Sequence, residues 1–586
     1  MKRSIFILFM ILVACKGPDV NIAEFETHAI QLKINTADHS AELSDKGTME
    51  VHRGWNLFAL NDAVEIRAFS VKAAPAKYRV FSINDSDIVP VEFRDKISVL
   101  RQDGSVQVIA FRAHAAGLIP YSIAYSGVFY ENVEDVRFSN ENVGREVTAT
   151  ISGQGAYFSP AATYYPTGKE TLAEFRFTAD IPADWESISD GNRLSSDLKD
   201  GRKVQSWENP FKSDGNMFMA APFVTRSTWV DSIEVACYFF KADTGLFDQY
   251  LPATAGYIRQ YSQLIGPYPY QRFTVVENFF PTGYGMPAWT LLGQQVIRLP
   301  FIVYTSLGHE VLHNWWGNSV YVDYDRGNWC EAATVYGADY RYKLQRSPEA
   351  ARTYRKDILK QYVNYVTPEN DFPIRKFINR TSPETRTIGY NKAMMVYHMI
   401  EREIGSEPFF EAWKKIDAAY QGQKISWEEW IAMFEATSGK DLSHIIPQWI
   451  DQAGAPVLGL KIDSIAEGRL NFTLLETSGQ KYRLEVPLQF DNGFDTTVVL
   501  NSPSGSFSVS IPIGAKSIAV DPDFHLFRRL YPEEMEPILS AALGSKNKVF
   551  YTADEADDFA VFGNNISGGE VTVNPLAVMA AIDRGK

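Results

Sequence analysis

Two histidines four residues apart, with a glutamate directly after the first, constrain this chain more than anything else in its sequence. The stretch HEVLHNWWGN runs from His309 to Asn318, in a chain with only 9 histidines. On a helix, residues i and i+4 lie on one face, so the spacing predicts a helix that aims the imidazoles of His309 and His313 at a common point. That geometry suits a metal ion. An open zinc site takes three protein ligands and leaves a fourth position for water or substrate, so the fold must also bring a second segment up to this helix.

The third ligand has a candidate in Glu331, within RGNWCEAATVYGADYRYKL, where apolar residues recur at helical spacing after a loop rich in Gly, Asn and Asp. Asp323 and Asp325 are nearer in sequence but fall in that loop, where a solvated carboxylate is expected. Cys330 is the other rival, since thiolates bind zinc, but a set of two histidines and a carboxylate is the usual open, hydrolytic type. Glu310 follows the first histidine. There a carboxylate can take a proton from water and pass it to a leaving amine. The expected cofactor is one zinc ion.

With 586 residues, 45% hydrophobic and 22% charged, the chain is too long for one core and has an ordinary globular composition. A formal net charge of −14 leaves no basic excess to neutralise phosphates, which argues against nucleic acid as a partner. Alternating, β-branched runs such as VEFRDKISVL and AEFRFTADIP predict an antiparallel β domain over residues 30–225. Helical spacing begins near residue 246 and dominates to about 450, defining a mostly helical domain over 226–452. Within it, Ser347-Pro348-Glu349 reads as an N-cap with proline at the first helical position, and Ser426 with Glu429 as a capping box. Alternation returns in RLNFTLLET and KYRLEVPLQF, predicting a small β-sandwich over 453–530. Residues 531–586 form a C-terminal extension with no assigned role. The fold class expected is multidomain α+β.

The N-terminus reads as an export signal. Lys2 and Arg3 precede an apolar run from Ile5 to Ala14, which is shorter than the roughly 20 residues of a membrane-spanning helix. Leu12-Val13-Ala14-Cys15 resembles the lipobox of bacterial lipoproteins. The resemblance implies a signal peptide over 1–14, a lipidated Cys15, a linker over 15–29, and a body tethered to the membrane in the bacterial cell envelope. Only Cys237 and Cys330 remain for a bridge, so no disulfide framework holds the fold.

HEVLHNWWGN followed by NWCEAATVY resembles the zinc aminopeptidases of the aminopeptidase N and leukotriene hydrolase family, whose third ligand is a glutamate after Trp. GPYPYQRFTVVENF, GYNKAMMVYHMI and QWIDQAGAPVL extend the resemblance to roughly residues 30–525. It implies a saddle-like β domain, a thermolysin-like catalytic domain and a β-sandwich, with peptides as substrates. It also puts Tyr390 where the family has a tyrosine that hydrogen-bonds the developing oxyanion, and the backbone at Gly285 and Met286 along the substrate strand.

Two departures bear on function. Between His313 and Glu331 lie residues 314–330, one fewer than the family's usual count. More important, TGYGMPAWTLLG stands where the family carries Gly-x-Met-Glu-Asn, whose glutamate binds the substrate's free α-amine. Gly285 and Met286 match, while Pro287 and Ala288 replace the Glu and Asn. Losing that carboxylate removes a charge-assisted hydrogen bond typically worth about 1.5 to 3 kcal/mol. Glu277, in VVENFF, is a nearby candidate to replace it and is equally readable as the solvent-facing residue of a half-buried strand, while Gln154, in SGQGAYF, falls where the resemblance to the family is poor. The reading is therefore a zinc metallopeptidase of aminopeptidase type with altered amine recognition. An endo- or oligopeptidase and an inactive, peptide-binding surface lipoprotein stand as alternatives. Trp315, Trp316 and Trp329, which flank the motifs, are expected in the core.

Overall fold

The structure, a computed structural model, describes residues 19–535 apart from 83–88, 98–99, 101–104, 135, 137–146 and 170. The export signal, Cys15 and residues 536–586 of the extension lie outside the described residues. Two compact units divide the chain: Met1–Tyr321 with Tyr420–Gln423, and Val322–Ala419 with Lys424–Lys586.

The first unit opens on an eight-stranded sheet. Its central strands Glu24–Asn35, Ser40–Val51 and Gly117–Val128 alternate buried and exposed residues, as in Ile30, Leu32 and Ile34 inward with Gln31, Lys33 and Asn35 outward. This is the period-2 pattern of a half-buried sheet. The expected all-antiparallel plan fails in two ways: Glu24–Asn35 runs parallel to Glu174–Pro182 and Val20–Ile22 parallel to Gly54–Asn61, and VEFRDKISVL, expected as a strand, is helical over Val91–Ile97, burying Phe93 and Ile97 four residues apart. The strand beginning at Glu24 also occupies residues expected to be linker.

A five-stranded mixed sheet follows, in the order Val224–Val230, Ile233–Phe239, Arg272–Asn278, Trp289–Gly293 and Gly283–Met286. Four of these strands, all but Val224–Val230, lie wholly inside the region 226–452 expected to be mostly helical. For Arg272–Asn278 and Trp289–Gly293 the reason is burial on both faces: every residue of each is buried, so neither carries an alternation to read. The helix Phe247–Leu264 packs on the first two strands and against the helix Ser306–Leu312, which carries His309.

In the second unit, Cys330–Val335 continues through a π-helical turn, Tyr336–Tyr340, into Arg341–Arg346. The helix Pro348–Tyr365 starts on Ser347, whose side chain accepts from Ala350 N–H. Trp427–Ser438 starts on the Ser426–Glu429 capping box. Both starts fall where the sequence puts them. The unit ends in a β-sandwich of two three-stranded sheets, with Phe472, Leu474, Val486 and Leu488 in its core. A multidomain α+β architecture with an N-terminal β domain, a helical domain and a terminal sandwich is thus in place. Among the described residues there is no disulfide, and Cys237 and Cys330 are both buried. No helix among the described residues is long and apolar enough to cross a membrane.

Candidate metal centre

His309 lies within the helix Ser306–Leu312 and His313 is its C-cap, still in helical conformation at φ −55° and ψ −19°. The turn that joins them is intact, with His313 N–H donating to the His309 carbonyl at 3.2 Å. Gly317, at φ +102°, then turns the chain away. Trp315, Trp316 and Trp329 are fully buried and hold this region as core.

The two Nε2 atoms stand 3.2 Å apart. Ligands at about 2.0 to 2.1 Å on a tetrahedral zinc would be separated by about 3.3 Å, so the pair fits that ion. The tautomer fits too. His313 Nδ1 lies 3.0 Å from the Trp316 carbonyl, to which it can only donate, and this leaves the Nε2 lone pair facing the site. One ligand atom each from His309, His313 and Glu331 lies within 4.8 Å of the others, and all three residues are half-buried. It is the one such group of three among the described residues, and Cys330, Asp323 and Asp325 are not in it. Glu331 is the second residue of the helix Cys330–Val335. Asn328 Oδ1 accepts from Cys330 N–H at 2.9 Å and fixes the start of that helix.

Glu310 faces the edge strand Gly283–Met286. A Cβ on Gly285 would come within 2.8 Å of Glu310 Oε2, so any larger residue there would push the carboxylate from its place. Met286 is buried, 4% exposed, which leaves its backbone rather than its side chain toward the strand edge. Tyr390 sits half-buried on the π-helical turn Thr387–Lys392, which packs against Cys330–Val335. The Phe377 ring fills the space a Cβ on Gly389 would need and stands edge-on to the Tyr390 ring at 5.9 Å. Two residues on, Lys392 is fully buried and donates to the carbonyls of Gln452 and Gly454, and burial lowers its pKa to about 8.

The residues in the altered motif form a two-residue hairpin tip, with Met286 paired to Trp289. Pro287 and Ala288 are buried. Their polar groups are taken up internally: the Pro287 carbonyl accepts from Gly191 N–H, the Ala288 carbonyl from Thr274 N–H, and Ala288 N–H donates to Asn314 Oδ1. Asp190 lies behind the tip, accepting from Trp289 Nε1 at 2.8 Å and Met217 N–H at 2.9 Å, and burial raises it to about 7. Nothing local in the sequence marks Asp190 or Asn314, because their partners are distant along the chain.

Glu277 contradicts one expectation. It is not solvent-facing but 0% exposed, with Oε2 accepting from Phe240 N–H at 2.7 Å. Burial, with the nearby Asp243 carboxylate, raises its pKa to about 8. A carboxyl closed off in this way is no anchor for a substrate ammonium. Gln154 is exposed, in the turn between Ala149–Ile151 and Ala156–Phe158. That turn lies against the loop leading into the edge strand, since a Cβ on Gly155 would meet the Phe279 ring at 2.5 Å.

Comparison with known proteins gives the fold a context. No family model matches the chain. It is 24% identical over 343 residues to the alanine/arginine aminopeptidase of Saccharomyces cerevisiae, covering 53% of this chain and 40% of that one. It is 26% identical over 337 residues to aminopeptidase N of Escherichia coli, covering 51% and 37%. The matched stretch therefore spans about two-fifths of these relatives. Among solved structures, aminopeptidase A of Legionella pneumophila aligns with a TM-score of 0.67 and 13% identity over 89% of this chain and 60% of that one. An M1 zinc metallopeptidase of Deinococcus radiodurans aligns with a TM-score of 0.56 and 13% identity over 74% and 96%. At these identities the structural likeness shows the fold.

Proposed function

We propose that the chain is a zinc-dependent metallopeptidase that hydrolyses peptide bonds, aminopeptidase-like but with relaxed recognition of the N-terminal amine. The observation that carries this reading is the convergence of His309, His313 and Glu331, with Glu310 next to the first ligand on the same helix. The names of the relatives support peptide substrates. We place the protein in the bacterial cell envelope, tethered through a lipid on Cys15.

A zinc ion held by His309, His313 and Glu331 supplies Lewis acidity, polarising a carbonyl and acidifying water. The chain's own residues do the rest. Glu310 takes a proton from the attacking water and delivers it to the amine as the C–N bond breaks. The Tyr390 hydroxyl donates to the carbonyl oxygen as it becomes anionic. The edge strand Gly283–Met286, whose far edge pairs with no other strand among the described residues, takes the substrate backbone as an added strand.

Relaxed amine recognition rests on the hairpin tip. Pro287 and Ala288 bring no carboxylate, and their backbone groups are already engaged. The test is a peptide set with N-termini free or acetylated, given to the zinc-loaded protein and to its Glu310→Gln variant, with products read by mass spectrometry. We expect Glu310-dependent cleavage with less than a tenfold preference for free N-termini. Strict release of single residues from free N-termini would refute relaxed recognition. No Glu310-dependent cleavage of either form would refute the peptidase reading and favour an inactive peptide-binding protein.

A further inference from the structure

We propose that Asn314 is a positioning residue, which pins the hairpin tip Pro287–Ala288 to the helix of the two histidines and so sets the gap between the edge strand and Glu310. Its effect on turnover rests on the peptidase reading above; the contact itself does not.

The argument begins with what the tip can donate. Proline has no N–H, so Ala288 N–H is the one backbone donor of the two-residue tip. Asn314 Oδ1 accepts it at 2.8 Å. A backbone N–H can only donate, which fixes the amide orientation: oxygen toward the tip, nitrogen toward the helix. Nδ2 then reaches the carbonyls of Glu310 and Val311 at 3.4 and 3.3 Å. The Tyr268 hydroxyl, 3.0 Å from Oδ1, holds the same amide from the side. Asn314 is fully buried, as a residue fastened on every side must be.

The tip needs fastening. Ala288 has φ +74°, in the left-handed region that side chains avoid. Proline followed by a positive φ is the pattern of a type II turn, which favours Gly or Asn at the second place. Two-residue hairpins prefer the mirror-image turns, whose twist matches the strands. The tip thus combines an unfavoured residue with an unfavoured turn, a conformation that persists only where neighbours impose it. Gly191 and Thr274 hold its carbonyls, and Asn314 supplies the hydrogen bond that reaches the helix. Two residues before Pro287, Gly285 stands against the Glu310 carboxylate with no room for a methyl group. A tip that swings off the helix therefore moves the strand that packs on the base.

The test uses the full-length, zinc-loaded chain as wild type, Asn314→Leu, Asn314→Ser, Ala288→Gly, and Ala288→Gly combined with each Asn314 variant. The readouts are kcat and KM on a cleaved peptide, zinc content, Tm, and hydrogen exchange of the Ala288 amide. We expect either Asn314 variant to lose about 10- to 100-fold in kcat, the scale of a misplacement near 1 Å, with KM and zinc content within about twofold. Ala288 exchange should rise at least about tenfold, and glycine at 288 should restore at least about threefold in kcat by releasing the turn from its strain. If the leucine variant fails to fold, the serine variant decides. Wild-type kcat in an Asn314 variant, a loss that follows zinc content, or no recovery with Ala288→Gly would overturn the proposal. If the wild type cleaves no peptide, the peptidase reading falls, and exchange decides this one: loss of protection confined to residues 284–290 supports it, and unchanged protection at Ala288 overturns it.

Discussion

Replacing Gly285 by alanine asks how tightly the edge strand packs on the base. The new Cβ would lie 2.8 Å from Glu310 Oε2, 3.2 Å from His313 Cβ and 3.4 Å from the Glu310 carbonyl oxygen. Ordinary contact begins near 3.4 Å, so the carboxylate must retreat by the difference, about 0.6 Å. Gly285 has no positive φ, so alanine adds no backbone strain. What gives way is the end of a flexible side chain. The stability cost should therefore fall at the low end of the roughly 1 to 3 kcal/mol typical of overpacking. The functional cost is larger, because a base displaced by part of an ångström no longer meets the proton it must take. We expect kcat to fall about 10- to 100-fold, with KM and zinc content within about twofold. Steady-state kinetics, metal analysis and thermal melting check the three parts. Unchanged kcat at unchanged Tm would show that the strand does not crowd Glu310. A collapse in Tm would show that backbone, not the carboxylate, takes the clash.

Other expectations follow from the same geometry. Tyr390→Phe should lower kcat by about 10²- to 10³-fold, the usual effect of removing one oxyanion donor, with KM and zinc content unchanged in steady-state and metal assays. Glu331→Ala should lose the ion, leaving less than a tenth of the wild-type zinc after dialysis against metal-free buffer. Glu277 predicts a pH effect: its folded pKa is about 8 against an ordinary 4.5. Between those values the folded protein holds a proton that the unfolded chain has released, so the stability Glu277 contributes is lost as pH rises through the window. Glu277→Gln keeps an acceptor for Phe240 N–H and removes the titration. In urea denaturation it should match wild type near pH 4.5 and become progressively more stable than wild type up to pH 8. Parallel stability curves would contradict the buried protonated carboxyl.

Local signals in the sequence carried further than distant ones. That His309 and His313 share a face follows from helical geometry alone, and the starts at Ser347 and Ser426 follow from capping chemistry within four residues. The alternation of Ile30, Leu32 and Ile34 made the N-terminal sheet legible as a half-buried one. By contrast, Arg272–Asn278 and Trp289–Gly293 are buried on both faces and so lack the alternation that marks a strand, and the same burial rules out Glu277 as the solvent-facing residue of a half-buried one. The parallel pairing of Glu24–Asn35 with Glu174–Pro182 joins segments about 150 residues apart, which no window of sequence reveals. Asp190 and Asn314 escaped notice for a similar reason. Each looks like an ordinary polar residue until its partners, Trp289 and Ala288, are brought to it by the fold.

The central claim is zinc-dependent hydrolysis of peptides by this set of residues. Its most direct test is peptide cleavage by the wild type as isolated, after chelation and after return of zinc, with Glu310→Gln carried in parallel and zinc counted in every sample. The account predicts about one zinc per chain in both proteins, and cleavage by the wild type that disappears on chelation and returns with zinc. For Glu310→Gln it predicts activity at least about 10²-fold lower at full zinc occupancy. Wild-type cleavage that survives chelation, or a Glu310→Gln variant as active as wild type with its zinc in place, would contradict it.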